Sequence, residues 1–165
     1  MNTDDERDNR EGAGRGSRER RHRAREAALQ MLYQWEVGRA SVHEVVRTYW
    51  SIERPGEAPL SPPLETFAGE LVRGTVEHVQ EIDPLIAESA EHWRLERMAT
   101  IDRLILRLAV YEFLHAADTP RKVVINEALE LARTYSSDDA VKFVNGILDG
   151  VKRRLDKPEG REPKA

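Results

Sequence analysis

The sequence has no cysteine, which excludes disulfides, thiolate metal sites and cysteine nucleophiles. It also lacks any apolar run of roughly 18 residues, the length that a membrane-spanning helix requires, so no membrane partner is expected and a cytoplasmic location follows by default. No stretch of useful length alternates apolar and polar residues as a half-buried strand would, and no internal repeat occurs. There is no glycine-rich phosphate loop, and the 5 histidines show neither metalloprotease nor zinc-finger spacing. What is present is a 165-residue chain that is 39% hydrophobic and 34% charged, long enough for one compact domain or two small helical halves sharing a core. Its net charge of -4 hides an asymmetry. Residues 15–25 carry six arginines against one glutamate, net +5, which leaves 20 basic and 29 acidic residues, net -9, in the rest.

The organising segment is 101–114, IDRLILRLAVYEFL. Ile101, Leu104, Ile105 and Leu108 form one apolar stripe, and Leu106, Val110, Phe113 and Leu114 fill the remaining faces, so the spacing predicts a helix with neighbours on most sides. Asp102, Arg103, Arg107 and Glu112 lie inside it, so those neighbours are protein and not lipid. Residues 1–19 mix charges with Gly12, Gly14 and Gly16 and offer almost nothing to bury, an arm expected to be disordered in isolation. From Arg20 onward Ala24, Ala27, Ala28, Met31, Leu32 and Trp35 keep a single stripe, with Gly38 as a stop. Ser41 followed by Glu44 is a capping-box pattern that opens a short second helix.

Residues 51–63 hold four prolines and one glycine, a loop expected to separate two helical groups. Ser61-Pro62 and Asp83-Pro84 each read as a cap followed by a proline that starts a helix. Leu85, Ile86 and Trp93 are expected to face the central helix, with a break near Met98. A helix through Val124, Ala128, Leu131 and Tyr135 follows, and Ser136, Ser137, Asp138 and Asp139 open a last one. Gly69, Gly74, Gly146 and Gly150 indicate close backbone packing. The expected fold is all-α, about seven helices in two packed helical subdomains. They form a single domain at 20–155, with subdomains at about 20–54 and 61–155 and a polar tail at 156–165.

Little in this framework carries chemistry. Two Glu-x-x-His pairs, Glu19 with His22 and Glu112 with His115, have a spacing used by di-iron bundles. The first sits among arginines and neither lies on an apolar bundle-facing stripe, so no metal and no cofactor is expected. Glu127 and Glu130 lack a positioned acid, base or nucleophile, and no catalytic residue is assigned. Arg107 and Glu112 require partners wherever they are buried, which predicts an internal ion-pair or hydrogen-bond network. The exception is the basic cluster Arg18, Arg20, Arg21, Arg23 and Arg25, which runs into a helix exposing Gln30 and Tyr33. Arginine contacts phosphates and stacks, while tyrosine and glutamine stack on or hydrogen-bond unpaired bases, a combination suited to single-stranded RNA more than to a duplex groove. A solvated basic arm on a helical protein-interaction module is the competing reading.

Three blocks carry a resemblance: RHRAREAALQMLY at 21–33, DRLILRLAVYE at 102–112 and VINEALELARTYSSDDAVKFVNG at 124–146. In order and in detail the chain resembles the NusB family of transcription antitermination factors. The resemblance implies two packed helical subdomains without catalytic activity. It also implies binding of boxA-type single-stranded RNA on nascent ribosomal transcripts together with NusE, a small-subunit ribosomal protein, in support of the RNA polymerase elongation complex. Matched position by position, it implies RNA contacts from Arg21, Arg23, Arg25, Gln30 and Tyr33, and from Asp139, Lys142 and Phe143. Glu96 and Asp102 are matched to the NusE side. A NusB-like domain also occurs fused to ribosomal RNA methyltransferases, but the catalytic cysteine of that class is absent, as is chain for a cofactor-binding domain. His22 within the basic run, the longer glycine-containing arm before it and the proline-rich loop at 55–63 depart from the family pattern.

Overall fold

The computed structural model describes residues 3–157, with side chains from Gly16 onward. Among the described residues are seven α-helices, one 3₁₀ turn and no strand: α1 Thr3–Gly38, α2 Val42–Tyr49, α3 Pro62–Glu77, α4 Val79–Ser89, the turn Leu95–Arg97, α5 Thr100–His115, α6 Arg121–Tyr135 and α7 Asp138–Leu155. The all-α class and the helix count are as expected. The chain divides into two compact units, Met1–Val76 and Glu77–Ala165. That division falls after α3 and not in the proline-rich loop, because α3 packs back on the first two helices. The Arg25 guanidinium of α1 lies 5.4 Å over the Phe67 ring, and a Cβ at Gly69 would stand 3.4 Å from a methyl of Val46 in α2.

In the first unit α1 buries the expected Ala24, Ala27, Ala28, Met31 and Leu32, Leu29 adds a second buried line, and Trp35, expected on the same stripe, is only half-buried. The helix starts at Thr3, ahead of the Arg20 start set by the stripe. Once a helix is nucleated each further residue adds one hydrogen bond, and α1 runs on through Gly12, Gly14 and Gly16 although each glycine costs about 1 kcal/mol. Of the polar tail at 156–165, residues 158–165 lie outside the described residues. Gly38 is the last residue of α1, but the left-handed residue that follows is Arg39, at φ 56°. In α2 the Ser41 hydroxyl accepts the Glu44 N–H at 3.2 Å, as the capping pattern required.

The second unit is built on α5, which packs against α4, α6 and α7. Leu104, Ile105, Leu106, Leu108, Val110 and Phe113 are all buried, so this helix has the neighbours on most sides that its composition demands. Ser137 caps α7 by accepting the Ala140 N–H at 3.1 Å. Its other end closes on Asp156, which pairs with Lys152 at 2.9 Å and with Arg121 at the start of α6. The Lys152 hydrogen bond, with Arg121 beside it, holds that carboxyl below its ordinary pKa. Asp156 therefore belongs to the helical body and not to a tail.

Three local expectations are corrected here. Asp83-Pro84 starts no helix: α4 begins at Val79 and carries Pro84 inside it. A proline there removes one backbone hydrogen bond and costs about 3 kcal/mol. Full burial of Ile82 and Ile86 on either side offsets that cost. So does a two-point grip of Arg107 on Asp83, with Nε and Nη2 each donating at 2.8 Å. The internal ion pair predicted for Arg107 is thus present, and Glu112 is buried on the same helix. Trp93 does not face the central helix but is 59% exposed. Gly150 meets the Ser89 side chain at 3.2 Å as close packing requires, whereas a side chain at Gly146 would meet nothing within 4 Å.

Candidate nucleic-acid interface

Residues two apart on a helix point about 200° from each other, so Arg21, Arg23 and Arg25 cannot share one surface. Arg21 and Arg25 lie on one side of α1 and Arg23 on the other. Arg21 is exposed, together with Arg18 and Arg20. Arg25, one turn further along, is only 3% exposed beneath Phe67. Arg25 thus has little surface to offer a phosphate: the same helical side that is open at Arg21 is covered by α3 at Arg25.

On the opposite side Arg23 donates to the Ala58 carbonyl of the proline-rich loop. Gln30 accepts the Tyr49 hydroxyl at 2.6 Å through Oε1. Arg54 lies 3.5 Å over the Tyr49 ring and donates to the Tyr49 carbonyl at 2.9 Å, strapping the loop to α2. These contacts frame a cleft of about 740 Å³ lined by Arg23, Gln30, Tyr49, Trp50 and Arg54, with Glu26, Glu53, Glu57 and Glu65. Four carboxylates against two guanidiniums give it an acidic character that opposes phosphate. Arg23 and Gln30 therefore stand in a different electrostatic setting from Arg18, Arg20 and Arg21. Tyr33 lies outside the cleft at 46% exposed, with its ring available for stacking.

In the second unit Asp139, Lys142 and Phe143 follow the i, i+3, i+4 spacing of one helical face. Asp139 and Lys142 are exposed and Phe143 is half-buried. Phe143 packs edge-to-face on Trp93, with centroids 5.8 Å apart and planes at 76°. This pair of an exposed Trp93 and a half-buried Phe143 was not legible in the sequence, where Trp93 read as core. The signal for it was the loss of helical periodicity around residues 90–98, which removes the reason to place a tryptophan inside. Glu96, exposed, sits on the turn just beyond Trp93, and Arg103 of α5 holds that turn by donating to the Leu95 carbonyl at 3.1 Å. Asp102, matched to the same partner surface as Glu96, is buried at 9% exposed, and its Oδ1 has no hydrogen-bond partner among the described residues. Its position in the first turn of α5 accounts for a carboxylate there, at the positive end of a helix. It presents almost no surface to a partner.

A family model describing the NusB family matches residues 22–153. The chain belongs to the NusB family. It is 48% identical over 138 residues to the transcription antitermination protein NusB of Solibacter usitatus, covering 84% of this chain and 92% of the relative. With the NusB of Myxococcus xanthus it shares 44% identity over 138 residues, covering 84% and 98% of the two chains. Among solved structures it is similar to T. maritima NusB, with a TM-score of 0.70, 35% identity and coverage of 81% and 90%. A second similar structure holds the antitermination factors NusB and NusE in complex with double-stranded RNA, with a TM-score of 0.70, 26% identity and coverage of 82% and 98%. The family match begins at His22, so Arg18, Arg20 and Arg21 lie just ahead of it.

Proposed function

We propose that this NusB-family chain is a transcription antitermination factor. In this reading it binds boxA-type RNA on nascent ribosomal transcripts jointly with NusE, helps the elongating polymerase resist termination, and catalyses no reaction. The observation that carries the reading is the exposed cationic stretch Arg18, Arg20 and Arg21, leading along α1 to the exposed Tyr33 in a chain that is otherwise net negative. The arginines supply phosphate contacts and Tyr33 a stacking face. Exposed Asp139, Lys142 and Trp93, with half-buried Phe143, offer a second set on the other unit, and Glu96 is the residue we assign to NusE. Arg23 and Gln30 are assigned to base contacts, since the acidic cleft disfavours phosphate there.

Fluorescence anisotropy with boxA-like RNA, single-stranded and duplex, with and without NusE, tests this. Each phosphate neutralised contributes a salt slope of about -0.7 on a single strand, so replacing Arg18, Arg20 and Arg21 by alanine flattens the slope by roughly two units. Tyr33→Ala costs about 1 to 3 kcal/mol of affinity with little change in slope. If neither NusE nor the RNA binds, the function is wrong. Binding of NusE without RNA would leave a helical protein-interaction module.

A further inference from the structure

We propose that His78, Glu81 and His115 form a binding site for a divalent late transition-metal ion such as Zn2+. His78 is the N-cap of α4, Glu81 lies in its first turn, and His115 is the last residue of α5. One ligand atom from each lies within 4.8 Å of the other two. Ligand atoms held about 2.1 Å from a tetrahedral ion stand about 3.4 Å apart. His115 Nε2 and Glu81 Oε2 are 3.3 Å apart, already the edge of such a tetrahedron. A ring rotation of His78 has at most about 1.4 Å left to close. The two imidazoles lie 4.1 Å apart by centroid. Tyr111 stacks on His115 at 5.2 Å and stands 5.8 Å from His78, which limits how far either ring can turn away. Glu81 and His115 are exposed, so an ion can reach the site and water can complete its shell. Two imidazoles with one carboxylate favour Zn2+, Co2+, Ni2+ or Cu2+ over Mg2+ and Ca2+, which take oxygen shells. Spacing along the chain pairs His115 with Glu112, but Glu112 is buried at 2% exposed; the carboxylate beside His115 is Glu81, brought there from another helix.

The test uses tag-free full-length protein, titrated with Zn2+ by calorimetry and with Co2+ by visible absorption. The expected result is one ion per chain at micromolar affinity, with Co2+ ligand-field bands. His78→Ala, His115→Ala and Glu81→Gln should each weaken binding by about tenfold or more, the scale on which site residues act. His43→Ala and His92→Ala, at exposed positions outside the cluster, should leave it unchanged. Circular dichroism verifies that each variant is folded, and Glu81→Gln, an isosteric change at an exposed side chain, keeps the comparison decisive if a histidine variant is not. Absence of saturable Zn2+ binding up to ~100 µM, a weak limit for any specific site, overturns the proposal. Binding that survives in both Glu81→Gln and His115→Ala overturns it as well.

Discussion

Arg21 and Arg25 are one helical turn apart and chemically identical, yet Arg21 is exposed and Arg25 lies beneath Phe67. A buried guanidinium on an aromatic face contributes through packing as well as charge. Arg25→Ala is therefore expected to lower stability by about 2 kcal/mol in urea unfolding while leaving the salt slope of RNA binding unchanged. A flattened slope with intact stability would return Arg25 to the phosphate contacts. Tyr49 shows the same dependence on surroundings. Burial pushes its phenol above the ordinary 10.0, with Arg54 opposing and Glu57 and Glu26 adding to the rise. The folded chain then holds this proton more tightly than the unfolded one, so the stabilisation is intact below pH 10.0 and is lost as pH rises through the folded value. Urea midpoints measured across that range should fall, and Tyr49→Phe should remove the Tyr49 share of the fall.

At the scale of single elements, what was legible is what neighbours in sequence control. The caps at Ser41 and Ser137 and most of the stripes of α1 and α5 depend on contacts within about one turn and appear where the spacing put them, with Trp35 and Ile101 only half-buried. Leu108→Ala should cost about 2 to 5 kcal/mol, because Leu108 is buried on the helix that α4, α6 and α7 enclose. A loss under about 0.5 kcal/mol would place that helix at the surface. Pro84 went the other way: a local rule made it a helix start, while burial of Ile82 and Ile86 and the Asp83–Arg107 pair carry α4 through it. The end of α1 is a similar case, since Arg39 and not a glycine takes the left-handed conformation. Arg39→Gly should relieve that strain and raise stability by up to about 1 kcal/mol in thermal unfolding.

For the whole molecule, the charge division predicts a separation of folding from RNA binding. A chain shortened to begin at His22 should keep its cooperative melt and lose only the helical signal of the removed part of α1, because the buried residues of α1 start at Ala24. Its RNA affinity should drop by roughly tenfold or more at low salt, since the phosphate contacts of Arg18, Arg20 and Arg21 are gone. An unchanged affinity would move the interface to α7 and the Trp93–Phe143 pair. The sequence by itself determined the helical class, the central place of α5 and the cationic stretch, because periodicity and net charge are properties of the chain that hold wherever it is placed. Only the tertiary structure decided which arginine is covered, that Trp93 is open, that Asp102 is buried and that His78, Glu81 and His115 meet. Those outcomes depend on pairs such as Arg25 with Phe67 and Glu81 with His115, which lie more than thirty residues apart and come together only when helices pack.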